Sequence, residues 1–190
     1  MTGTVYVFAR APRLGTVKRR LAAGIGPLAA LQFYRATLAQ TLRRLARDKR
    51  FRTVLVLTPP DARGPWRQGL PSVPQGCGDL GARMQRTLAR NRHAIVVGSD
   101  IPDLRADDVA CAFKLLRRAD AVFGPAQDGG YYLVGFGPRR TPHPFARVRW
   151  SSEHALSDTL ANFSTRRVAL IRTLRDVDCV NDLRAITRPR

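Results

Sequence analysis

The strongest constraint on the fold is the alternation of two hydrophobic periods along the chain. Short continuous apolar runs occur at 4–9 (TVYVFA), 53–58 (TVLVLT), 94–97 (AIVV), 121–124 (AVFG) and 131–136 (YYLVGF). Between most of them lie stretches in which apolar residues recur every three or four positions. The short runs read as strands buried on both faces, and the longer periodic stretches as amphipathic helices. Their alternation predicts an α/β fold, with helices covering a sheet. One connection refines this. Residues 125–130 are too few for a crossover helix, so the strands at 121–124 and 131–136 cannot be parallel neighbours, and the sheet must be mixed.

Helices are expected over 28–46, 79–91 and 106–118, from Ser151 or Ser152 to Phe163, and over 180–186, with a last strand at 167–171. The Pro/Gly-rich stretch 59–78 promises little beyond one helical turn and a short strand near Ser72. A chain of 190 residues suits a single domain, taken as 1–190. No apolar run approaches the roughly 18 residues that span a membrane. Cys77, Cys111 and Cys179 form no CxxC pair, and no zinc spacing links them to His93, His143 or His154. A reduced, cytoplasmic protein is the expectation. His93 is expected at a helix end and His143 in an exposed loop.

Lys and Arg number 33 against 14 acidic residues, a net charge of +19, and all but Lys18, Lys49 and Lys114 of the cations are arginines. Such a chain attracts polyanions. The arginines are dispersed rather than gathered in a tail, so nucleic acid is the less favoured partner and small phosphate-bearing substrates the more favoured.

In open α/β sheets, sites lie beyond the carboxyl ends of strands. Three segments follow strands. The first, RAPRLGTVKRRL, puts Arg10, Arg13, Lys18, Arg19 and Arg20 around Pro12 and Gly15, a basic loop suited to a diphosphate. It is not a Walker P-loop. The second, GSDIPDL, offers Asp100 to a hard cation such as Mg²⁺ or Mn²⁺. Asp103 is a further carboxylate there, or the cap of the next helix. The third, GPAQDGGYYLVG, holds Asp128 before Gly129, Gly130, Tyr131 and Tyr132, and also fits an ordinary Asp-Gly turn. A fourth segment, GCGDLG, matches G-x-G-x-x-G. The strand before it carries two prolines, and Asp79 would oppose a pyrophosphate, so a dinucleotide site is not favoured. Cys77 has no neighbouring base. Trp150 is a core residue or a platform for a sugar or base.

Taken in order, FARAPRLGTVKRRL, GDLGARM, GSDIPDL, GPAQDGGYYLVGF, VRWSS and DVDCVNDL resemble the DUF2064 family, from Val5 to about Leu183. That family is described as nucleotide-diphospho-sugar transferase-like and often labelled a glycosyltransferase, with some members associated with arsenosugar biosynthesis. The resemblance implies a glycosyltransferase A-type, Rossmann-like α/β/α sandwich with a mixed, mostly parallel sheet. It also implies a metal-dependent transferase acting on a nucleotide sugar, or a nucleotidyltransferase acting on an NTP, with a small-molecule acceptor. A non-catalytic nucleic-acid-binding protein is the rival of another class. By the same resemblance Arg10, Pro12, Gly15, Lys18, Arg20 and Asp79 face the nucleotide and its phosphates. Asp100, with Asp128, holds Mg²⁺ or Mn²⁺. Asp128 and Lys18 take catalytic roles, and Gly129, Gly130, Tyr131 and Trp150 receive the acceptor. The chain departs from the family's usual pattern at Arg10 (usually Lys), Arg19 (Thr), Ala82 (acidic) and Ser152 (Thr). The cationic changes preserve a phosphate site, and Arg19 narrows it.

Overall fold

The computed structural model describes residues 3–187. Positions 1, 2 and 188–190 of the expected 1–190 domain lie outside the described residues. Along the chain run β1 (Gly3–Arg10), α1 (Arg19–Ile25), α2 (Pro27–Arg47), β2 (Phe51–Thr58), β3 (Ser72–Pro74), α3 (Leu80–Ala89) and β4 (Ala94–Gly98). Then follow α4 (Ala106–Leu115), β5 (Ala121–Pro125), β6 (Tyr131–Phe136), α5 (Ala155–Ala161), β7 (Val168–Leu170) and α6 (Val180–Thr187).

The seven strands form one sheet in the order β3-β2-β1-β4-β6-β5-β7. β6 is antiparallel to both its neighbours, as the short link before it requires, and the other pairings are parallel. The fold is therefore a mixed, mostly parallel sheet between two helical layers. Period-2 alternation sorts the core: Val5, Val7 and Ala9 of β1 pack with Leu31, Leu38, Leu42 and Leu45 of α2, whereas Tyr6 faces the layer holding Met84 and Leu88 of α3. A small third cluster, Leu21, Ala30 and Val177, lies under the α1–α2 turn, with Val180 and Leu183 of α6 packed on it.

Several expectations need correction. The basic loop ends earlier than read, because α1 begins at Arg19. That helix is only seven residues long and closes at Gly26-Pro27, where Gly26 adopts φ 85° and Pro27 opens α2. A helix this short, followed by two breakers, leaves almost no periodic signal. Asp103 does not cap α4. The Asp108 carboxylate accepts the Arg105 N–H at 2.8 Å instead. α5 starts at Ala155, not at Ser151 or Ser152. The Ser152 hydroxyl donates to the Arg149 carbonyl at 2.7 Å and accepts from the His154 N–H at 3.2 Å, tying a turn ahead of the helix. His93 lies beyond α3, which ends at Ala89. The strand before GCGDLG is β3, three residues at the sheet margin paired only with β2, so the segment lacks the central strand of a dinucleotide fold. Among the described residues no helix is long and apolar enough to cross a membrane, and the three cysteines are free.

Candidate active site

The carboxyl ends of β1 and β4 and the start of β6 open into one crevice with two lobes. The lobes hold about 660 and 520 Å³ and share Arg20, Leu80, Gly98, Asp100, Ser151 and Asp178.

The first lobe is built by the loop after β1. Arg10 Nη1 donates to the Thr16 carbonyl at 3.3 Å and so closes the loop on itself. Arg10, Lys18, Arg19 and Arg20 line the lobe. Pro12 and Gly15 do not line it. The Pro12 carbonyl accepts from Arg35 Nη2, and Gly15 lies in the exposed turn. Lys18 opens α1 in the left-handed region at φ 48°, ψ 48°. That conformation is costly for a residue with a Cβ and tends to gather at functional sites. Its side chain is 5% exposed, and its ammonium donates to Asp100 Oδ2 at 2.8 Å and Asp178 Oδ1 at 2.6 Å. Burial alone would lower its pKa; the two carboxylates outweigh that and hold it above the ordinary lysine value.

Beneath this lobe sits Tyr34, buried on the inner face of α2. Its hydroxyl donates to the Arg10 carbonyl at 2.9 Å, accepts the Arg10 N–H at 3.1 Å and lies 3.2 Å from Ser99 Oγ. It ties the loop carrying the cations to the loop carrying Asp100.

The second lobe is acidic. Asp100, Asp128, Glu153, Asp176 and Asp178 line it, five of the chain's 14 acidic residues. Asp176 is half-buried, and its pKa is pushed up to about 6 by burial and then by Asp128, Asp178 and Asp100. Asp128 Oδ1 accepts the Gly130 N–H at 2.8 Å. Gly129, at φ 85°, lies where a Cβ would run into the Glu153 backbone, and its carbonyl accepts the Leu156 N–H. The glycine thus admits the loop before α5. Trp150 and Tyr131 line the lobe edge-on to each other, with ring centroids 6.4 Å apart. Trp150 also leans on α3 at Gly81, where a Cβ would come within 2.9 Å of its ring. Ser151, at φ 61°, is another non-glycine residue held in the left-handed region at the crevice.

Asp79 lines neither lobe. Its carboxylate caps α3, accepting the Ala82 N–H at 2.8 Å. Reading the sequence residue by residue missed Asp176, Asp178, Tyr34, Ser99 and Ser151. The signal for the first two was the alternating Asp-Val-Asp at 176–178, which points both carboxylates one way while Val177 packs inward. The carboxylates supply oxygen donors, which suit Mg²⁺ or Mn²⁺. Among the described residues no three His, Cys, Asp or Glu side chains are placed to ligate one ion together. A divalent ion held here would need phosphate oxygens and water to complete its shell, the usual habit of Mg²⁺.

Comparison with known proteins gives three findings. The sequence profile of DUF2064, described as an uncharacterized protein conserved in bacteria, matches residues 41–152. No curated protein matches. Among solved structures, a Desulfovibrio desulfuricans G20 protein provisionally described as a nucleotide-diphospho-sugar transferase is 30% identical, with a TM-score of 0.90 over 99% of this chain and 87% of that one. Two more distant structures share the fold. One is Rv0371c of Mycobacterium tuberculosis H37Rv in complex with manganese, 15% identical, with a TM-score of 0.54 over 97% of this chain and 98% of that one. The other is the 4-diphosphocytidyl-2C-methyl-D-erythritol synthase of Anaerococcus prevotii DSM 20548, 13% identical, with a TM-score of 0.57 over 98% and 99%.

Proposed function

Because the chain belongs to the DUF2064 family, we propose that it is a metal-dependent, nucleotide-utilising transferase, with a nucleotide sugar as donor and a small hydroxyl compound as acceptor. The observation that carries this reading is the meeting of cations and carboxylates in one crevice: Arg10 and Lys18 from the first loop, Arg20 from α1, Asp100 from just after β4 and Asp178 from just before α6.

The arginines bind the diphosphate and offset the charge that grows on it as the glycosidic bond breaks. Asp100 would hold Mg²⁺ or Mn²⁺, with Asp128 and Asp178 lining the same crevice. The ion would neutralise phosphate oxygens and improve the leaving group. Lys18 keeps Asp100 and Asp178 in place and is close enough to that pair to share in phosphate binding. The acceptor occupies the second lobe against Trp150 and Tyr131. Its hydroxyl oxygen attacks the anomeric carbon, its proton passes to Asp128, and the electron pair of the broken bond leaves on the diphosphate. Asp128 Oδ2 is the atom for that proton, since Oδ1 is held by Gly130.

A nucleoside triphosphate donor, with pyrophosphate released, is a second reading. The four cations of the first lobe favour it, because they could serve a triphosphate as readily as a diphosphate.

A thermal-shift panel of NTPs, NDPs and nucleotide sugars, each with and without Mn²⁺, tests both. A nucleotide sugar at about a hundred times its Kd should stabilise the fold by about 2.7 kcal/mol, dependent on Mn²⁺, and Asp100→Ala should abolish the metal-dependent part. Equal stabilisation of the variant would remove Asp100 from the site. Stabilisation by an NTP alone would select nucleotidyl transfer, with pyrophosphate release as the check.

A further inference from the structure

We propose that the protein carries a second ligand site, at the end of the sheet opposite the crevice, for a small molecule that joins an anionic group to an apolar ring. The site is a cavity of about 500 Å³ between α3 and the segment that follows β6, a volume within the usual range for small ligands. β6 runs from Tyr131 in the crevice to Phe136 in this cavity. At roughly 3.3 Å per residue the two are about 17 Å apart.

The walls are apolar: Leu88 and Ala89 of α3, Phe136, Pro138, Pro142 and Pro144. Two guanidinium groups, Arg92 and Arg140, also line it, and the lining includes no acidic residue. Arg140 is already set in position. Its Nη2 donates to the carbonyls of Asn91 at 3.2 Å and Arg92 at 3.1 Å, and its Cζ lies 5.9 Å from the centroid of the Phe136 ring. Nε and Nη1 have no partner among the described residues, and neither does the Arg92 guanidinium. Arg50 and Arg149, exposed like Arg92, both hold carboxylates. The Arg140 pKa is lowered by burial and then by the Arg92 charge, as expected of a cation pair lacking a counter-ion.

Two guanidinium groups suit a phosphate or carboxylate head, and the Pro, Leu and Phe walls suit a flat apolar body. Only a molecule with both parts satisfies the whole cavity. α3 lends Leu80 and Met84 to the crevice and Leu88 and Ala89 to this cavity, so one helix borders both sites.

The test titrates the full chain, labelled at Leu and Ala methyls, with phenyl phosphate followed by NMR. Saturable shifts at Leu88 and Ala89 are expected, unchanged in Asp100→Ala and weakened about tenfold or more in Arg92→Gln and in Arg140→Gln. Arg92 is exposed, so its variant tests the proposal even where Arg140→Gln disturbs the fold. Benzoate competing at the same methyls would place a carboxylate on a par with phosphate. Failure to compete would narrow the head group to phosphate, and both results support the site. The proposal is overturned if both arginine variants bind as the parent does, if only crevice methyls move, or if inorganic phosphate binds as tightly as phenyl phosphate.

Discussion

Asp120 and Asp176 are carboxylates withdrawn from water at opposite ends of the sheet's strands, and their surroundings push them in opposite directions. Asp120 precedes β5, is 4% exposed, and accepts the Arg167 N–H at 3.0 Å and Arg139 Nε at 2.7 Å. Those hydrogen bonds hold its pKa below the ordinary carboxylate value. Asp176 lies in the crevice, where burial and three neighbouring carboxylates push it up to about 6. Around Asp120, charge is answered from within the chain and serves the fold. In the crevice it is only partly answered, by Lys18. A carboxylate raised by burial and like charges in a cleft is the kind of group that gathers at functional sites.

The contrast can be broken by experiment. Lys18→Met should have the largest effect on stability. Removing one partner of a fully buried ion pair costs about 3–5 kcal/mol, and because Asp100 and Asp178 are partly exposed we expect about 2 kcal/mol. Urea unfolding at pH 7 measures it, and added Mn²⁺ should restore more stability to the variant than to the parent. A variant as stable as the parent would mean that the ammonium does not compensate the acidic cluster.

Asp120→Asn should cost about 1–2 kcal/mol at neutral pH, the worth of hydrogen bonds to a charged group. The folded pKa of Asp120 is depressed, so its contribution is present above the unfolded value of about 4 and lost as pH falls through the folded one. The gap between parent and variant should therefore close on acidification. A gap that is the same at pH 7 and in acid would show that the charge is not what matters there.

Asp176→Asn should act with the opposite sign and the smallest size, stabilising by about 1 kcal/mol at pH 7 because it removes one charge from a repelling group. Mn²⁺ affinity, followed by titration calorimetry, should fall at the same time. Destabilisation by this substitution would erase the distinction between the two ends.

The sheet was legible because its strands are continuous apolar runs, and the turn at 125–130 is too short for any parallel link. The first loop and Asp100 were legible because both directly follow such runs. Other parts of the crevice depend on contacts that no local pattern carries. Lys18 meets Asp178 across 160 positions. Tyr34 reads as one more inward residue of an amphipathic helix until its hydroxyl is seen between two loops. Asp79 differs in the other direction. The family resemblance implied nucleotide contact there, while its carboxylate is occupied as a helix cap. α5 misled for a related reason, since Ser152 has the chemistry of a cap but serves a turn.

The ion pair between Lys18 and Asp178 also bears on the order in which the protein comes into being. At about 10 residues per second of synthesis, the first loop emerges from the ribosome roughly a quarter of a minute before the carboxylate it will grip. During that interval Lys18 lacks one of the two carboxylates it holds in the folded chain. The crevice is complete only once the segment carrying Asp176 and Asp178 has docked.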